Sequence, residues 1–135
     1  MVKFILGGKG SGKTKIMINM ANEAGRNSDG IVVYIDRDKN HIHDLDRCLR
    51  FVETADFEID SLKSFYGFLC GIISQNYDVE KIFIDGQKII TGAKDEHLEE
   101  FIKHLKNLGE KFGVSFVISS SRNVEDAPEF LRQYM

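Results

Sequence analysis

Proline is almost missing: the 135 residues include one, Pro128, together with two cysteines and no tryptophan. With so little proline, no low-complexity stretch and no internal repeat, the sequence offers no interdomain linker. Cys48 and Cys70 have no metal-type spacing, so they are expected to be reduced, partly buried thiols of a cytoplasmic protein. No apolar run approaches the ~20 residues of a membrane helix, and the stretch before Gly7 is too short for a signal peptide. A membrane partner is therefore not expected. Excess positive charge is also missing: 18 Lys and Arg stand against 21 Asp and Glu, a net charge of −3. Nucleic acid is thus an unlikely partner on electrostatic grounds.

What is present is enough apolar material, 42% of residues, for one globular core. A single domain over residues 1–135 is expected. Buried strands are expected at Val2–Leu6, Ile31–Ile35, Lys81–Asp85 and Val114–Ser119, each a near-continuous apolar run. Between them, helical spacing of apolar residues predicts helices over Lys13–Ala24, Ser61–Ser74 and Asp95–Leu108. Leu45, Cys48, Leu49 and Val52 predict a further short helix, Phe57 and Ile59 a minor extended piece, and Pro128 the first turn of a last helix. Alternating apolar strands and helices predict an α/β fold with a mainly parallel sheet of about four to five strands and helices on both faces. Ligands of such sheets sit beyond the carboxyl ends of the strands. Asp36, Asp38, Asp85 and Ser119 all fall there.

The segment Gly7-Gly8-Lys9-Gly10-Ser11-Gly12-Lys13-Thr14 follows the first strand and opens the first helix, and it fits G-x-x-x-x-G-K-[ST]. Glycines allow a backbone nest whose N–H groups point at phosphate oxygens, and the helix start adds its positive end. Lys13 is placed to reach the β- and γ-phosphates, and Thr14 to coordinate Mg²⁺. Lys9 occupies a variable position of the motif and is expected at the solvated rim. The strand Lys81–Asp85 resembles a Walker B strand, with Asp85 as the second magnesium residue. Gly86 stands where many ATPases of the additional-strand class carry a catalytic glutamate, so any base must come from elsewhere.

The run Val32-Val33-Tyr34-Ile35-Asp36-Arg37-Asp38 resembles the second strand of RecA-like ATPases. The resemblance extends over about residues 1–121 and implies the three-layer P-loop NTPase fold. It places Asp38 at the position of the glutamate that polarises the attacking water, and it gives the end of the fourth strand, near Ser119, a role in sensing the γ-phosphate. Asp38 is one methylene shorter than glutamate. The resemblance also implies that Val2–Leu6 lies near a sheet edge, covered by Asp126–Met135 or by a second subunit, so a homo-oligomer or other protein partner is open.

The function expected is binding of ATP with Mg²⁺ and slow hydrolysis, with Lys13 and Asp38 as catalytic residues. The alternative is a nucleotide-binding regulatory module without turnover. A small-molecule kinase is disfavoured by the lack of an arginine-bearing lid. A GTPase is disfavoured because Ser119-Ser120-Ser121-Arg122 lacks the guanine-reading pattern. Arg122 is a candidate arginine finger or a surface residue. His41, His43, His97 and His104 are expected to be solvated.

Overall fold

The computed structural model describes residues 1–135. Five strands, β1 (Val2–Leu6), β2 (Ile31–Asp36), β3 (Arg50–Glu53), β4 (Val79–Ile84) and β5 (Ser115–Ser120), form one sheet in the order β1-β5-β4-β2-β3. Every pairing is parallel. The helices are α1 (Lys13–Asn27), α2 (Leu62–Gln75), the single-turn α3 (Lys88–Thr91), α4 (Asp95–Phe112) and the short α5 (Glu129–Arg132). No helix is long and apolar enough to cross a membrane.

Both faces of the sheet are covered, and strand alternation explains how. Val32, Tyr34, Phe83 and Val117 point to one face and pack on Met17, Ile18 and Ala21 of α1. Their neighbours Val33, Ile35, Ile82, Ile84, Phe116 and Ile118 point to the other face, against α2 and α4. Helix α4 supplies Leu98, Phe101, Ile102, Leu105 and Leu108, the five residues its sequence spacing marks. It ends at Gly113, whose left-handed backbone (φ 69°) lets its N–H reach the Gly109 carbonyl. Helix α2 starts in a reciprocal cap in which the Ser61 and Ser64 side chains each accept the other's backbone N–H.

One expected element is different. Leu45, Cys48, Leu49 and Val52 do not form a helix; a 3₁₀ turn at Ile42–Asp44 precedes them, and the segment runs into β3. The helical spacing was coincidental, because Phe51 and Val52 alternate as a strand requires. Phe51 packs on the α1 side and Val52 on the α2/α4 side, opposite Tyr34 and Ile35 of β2. Phe57 and Ile59 lie in a turn, with the Ile59 N–H donating to the Phe57 carbonyl at 2.9 Å. Pro128 caps α5 from outside instead of entering its first turn. Both cysteines are free, but Cys48 is exposed, not partly buried, because its segment is a surface connection over α1.

Strand β1 is an edge. Its inner side pairs with β5, and on its outer side Phe4 donates its N–H to the Tyr134 carbonyl at 2.6 Å. Leu131 and Ala127 are buried in the same core, so the C-terminal segment covers this edge.

Candidate functional site at the carboxyl edge of the sheet

Register brings the acidic strand ends together. Ile84 pairs with Ile35 on one side and Ile118 on the other. One residue further along each strand are Asp85, Asp36 and Ser119. Alternation continues past the ladder, so these residues share the face of Tyr34, Phe83 and Val117, the face on which α1 lies. Gly7, one residue beyond β1, donates its N–H to the Ser120 carbonyl at 3.3 Å, which sets the loop beside the same edge.

The loop has the conformation its glycines permit. Gly10 and Gly12 adopt left-handed backbone (φ 79° and 87°) with open space where a Cβ would stand. Gly7 is packed against the Ser11 side chain, and Gly8 lies 3.1 Å, measured from an ideal Cβ, from Asn123 Oδ1. Gly12 is the N-cap of α1 and offers no side-chain cap, so the first N–H groups of the helix face the loop without a side-chain partner. Lys13 Nζ donates to the carbonyls of Gly7 at 2.6 Å and Gly8 at 3.1 Å, which holds the ammonium across the loop.

A polar cleft of about 730 Å³ lies over these residues. It is lined by Lys9, Gly10, Lys13 and Thr14 from the loop and by Asp36, Asp38, Asp85 and Ser119 from the strand ends. Lys9 is exposed at its rim. His41, read from sequence as solvated, is exposed but also borders the cleft.

Asp85 is buried and fixed from two sides. The Tyr34 hydroxyl donates to Oδ2 at 2.9 Å and the Ser119 hydroxyl to Oδ1 at 2.5 Å. Burial, and then the charge of Asp85, hold the Tyr34 hydroxyl well above the ordinary phenol range, so it stays a donor. Asp36 is 5% exposed, and burial pushes its carboxyl up to about 6; the Arg37 N–H it accepts at 2.7 Å acts against this, and Asp85 adds to it. Asp38 sits further out. Its Oδ1 accepts the Asn40 N–H at 3.0 Å, and its other oxygen is 3.5 Å from Arg37 Nε.

Neither Asp36 nor Asp85 is ion-paired to a lysine or arginine. Two carboxylates without a Lys or Arg partner, lining the same cleft as Thr14, are hard oxygen donors of the kind a divalent cation takes. No three acidic, His or Cys residues group closely enough to hold a metal by themselves. A cation held here would need water or ligand oxygens to complete its shell.

Gly86 has φ 68°, and a Cβ there would stand 2.9 Å from Asp36 Oδ1. The backbone thus disfavours a glutamate directly after Asp85. Arg122 is no free finger: it donates to Asp95 at 2.7 Å and to the Ala93 carbonyl at 3.2 Å, outside the cleft.

Sequence reasoning missed Tyr34 and Gln87. Tyr34 could have been found as the one side chain with a polar tip in an aliphatic strand, two residues before Asp36. Gln87 is buried, donating to the Asp85 carbonyl at 3.0 Å and to Thr54 at 3.2 Å, and nothing in its local sequence marks it.

The fold and site define an α/β protein with a parallel sheet and a polar cleft at its carboxyl edge. The chain matches no protein-family model, and no curated protein matches it.

Proposed function

We propose that the cleft binds a nucleoside triphosphate, ATP by preference, with Mg²⁺, in a P-loop fold of RecA-like type. The observation that carries this reading is the meeting of two separate parts of the sequence. A glycine loop with left-handed Gly10 and Gly12 and an open helix start faces buried, cation-free carboxylates on neighbouring strand ends. The strand order also supports it, since β5 lies between the loop strand β1 and the strand leading to Asp85.

In this reading the loop N–H groups hold phosphate oxygens, and Lys13 exchanges its loop carbonyls for the β- and γ-phosphates. Thr14 and Asp85 would hold Mg²⁺, with Asp36 beside them; when bound, the ion neutralises charge on the phosphate oxygens. Tyr34 and Ser119 keep Asp85 oriented. Asp38 is the residue available to orient an attacking water. Hydrolysis would be slow, because Asp38 is short and already engaged by Asn40 and Arg37. That engagement, with Gly86 in place of a glutamate, also favours the second reading, a module that binds nucleotide without turnover. A cytoplasmic setting accords with the two free cysteines.

Phosphate release from MgATP by the native protein and Asp38→Asn, with binding measured on the same samples, separates the two. Turnover lost in Asp38→Asn with binding kept supports the ATPase. Equal binding with no release in either protein leaves the binding module.

A further inference from the structure

A second cavity, of about 890 Å³, lies on the far side of α3 from the phosphate cleft, between the start of α2 and the first half of α4. Lys88 and Gly92 border both. This cavity differs in kind. Its wall carries Leu62, Tyr66, Ile89, Ala93 and Phe101, whereas no hydrophobic residue lines the phosphate cleft. The Tyr66 and His104 rings meet at 5.4 Å between centroids and close one side.

Its border also carries charge. Lys63, Lys88 and Lys94 are exposed, and none is ion-paired. The acids at the same border are Asp60 and Glu100, and Glu100 lies 3.7 Å from His104. Lysine exceeds acid here, on a chain whose net charge is −3. Hydrogen bonds hold the α3–α4 side of the wall. Thr91 Oγ1 accepts the Ser121 N–H at 3.2 Å, and Arg122 ties the Ala93 carbonyl to Asp95 across the α3–α4 junction. An apolar cavity of this size with a few charged groups at its mouth is what small-molecule sites share.

We propose that this cavity is a second ligand site, for a small amphipathic anion. Its apolar body lies against Tyr66, Ile89 and Phe101, and its carboxylate or equivalent head faces Lys63, Lys88 and Lys94. The site does not depend on the nucleotide reading, and its test uses no nucleotide.

Decanoate and decyltrimethylammonium have the same apolar tail and opposite heads. Each is titrated into the full chain below its micelle concentration, with backbone amide shifts recorded by NMR. Decanoate is expected to bind at one site, shifting the amides of Leu62, Gly92 and Ala93, with the cation at least tenfold weaker. The exposed double variant Lys63→Glu/Lys94→Glu is expected to lose at least tenfold in decanoate affinity with an unchanged amide spectrum elsewhere. Should that variant fold poorly, Lys63→Gln/Lys94→Gln tests the same loss. Equal binding of both amphiphiles, decanoate shifts located elsewhere, or native affinity in the folded double variant overturns the proposal. So does a concentration-dependent shift of Gly92 and Ala93 in protein alone, which would mark the cavity as a contact between copies.

Discussion

The Tyr34 hydroxyl donates to Asp85 Oδ2 at 2.9 Å inside the sheet's α1 face, joining two strands that are neighbours in space but about 50 residues apart in sequence. Tyr34 is fully buried, its ring stacked near Phe83 with centroids 6.2 Å apart. The pair therefore does two things: it satisfies a buried phenol, and it sets the direction of the carboxylate in the cleft. Tyr34→Phe keeps the ring packing and removes the donor. The expected cost is about 1–2 kcal/mol, since Asp85 then keeps only the Ser119 hydroxyl. Urea unfolding of the two proteins measures it, and an unchanged midpoint would show that the bond contributes nothing net.

Asp36 carries the opposite balance. Its carboxyl is pushed from 3.8 up to about 6, so the native state holds the proton more tightly than the unfolded chain does. The sign follows: this group favours folding below about pH 4, and that contribution is lost as pH rises toward 6. At pH 7.5 the charged Asp36 destabilises the fold by something on the order of 2 kcal/mol, reduced by screening from the open cleft. Asp36→Asn should therefore raise the melting temperature at pH 7.5, without magnesium, and leave it nearly unchanged at pH 4. A gain equal at both pH values would mean that the carboxylate charge is not the cause.

Gly86 marks where the backbone limits chemistry. Its positive φ and the 2.9 Å approach to Asp36 predict that Gly86→Ala loses about 1–2 kcal/mol, as strain and the close contact add. Thermal unfolding checks this. If alanine is tolerated without loss, the left-handed turn is not enforced, and a carboxylate after Asp85 is not disfavoured by geometry.

The strand–glycine loop–helix unit at the start of the chain and the four longer strands were legible because their signals are local. The run Gly7–Thr14 follows an apolar strand directly, and α4 repeats its apolar residues from Leu98 to Leu108, about three turns. Strand β3 was not legible: its four residues are too few to establish a period, and Leu45 and Leu49 add a false helical one. Asp85 and Asp36 could be placed at strand ends, but their nearness could not, since it rests on the pairing of Ile84 with Ile35. Tyr34 and Gln87 escaped for the same reason, because each works through a partner supplied by another strand or turn. The C-terminal cover of β1 was anticipated only as one of two ways to protect an edge; the Phe4 to Tyr134 bond shows which is used.

The central claim is that the loop from Gly7 to Thr14 holds a nucleotide's phosphates. Calorimetric titration of MgATP into the native protein and Lys13→Ala tests it most directly, with Mg²⁺ omitted in a third run. Lys13 is only partly buried, and its bonds are to loop carbonyls, so its loss should leave the fold intact. The account predicts one-to-one binding by the native protein, at least tenfold weaker binding by Lys13→Ala, and weaker binding without the metal. No heat and no displacement of a fluorescent ATP analogue by native, folded protein would contradict it, as would equal affinity in Lys13→Ala.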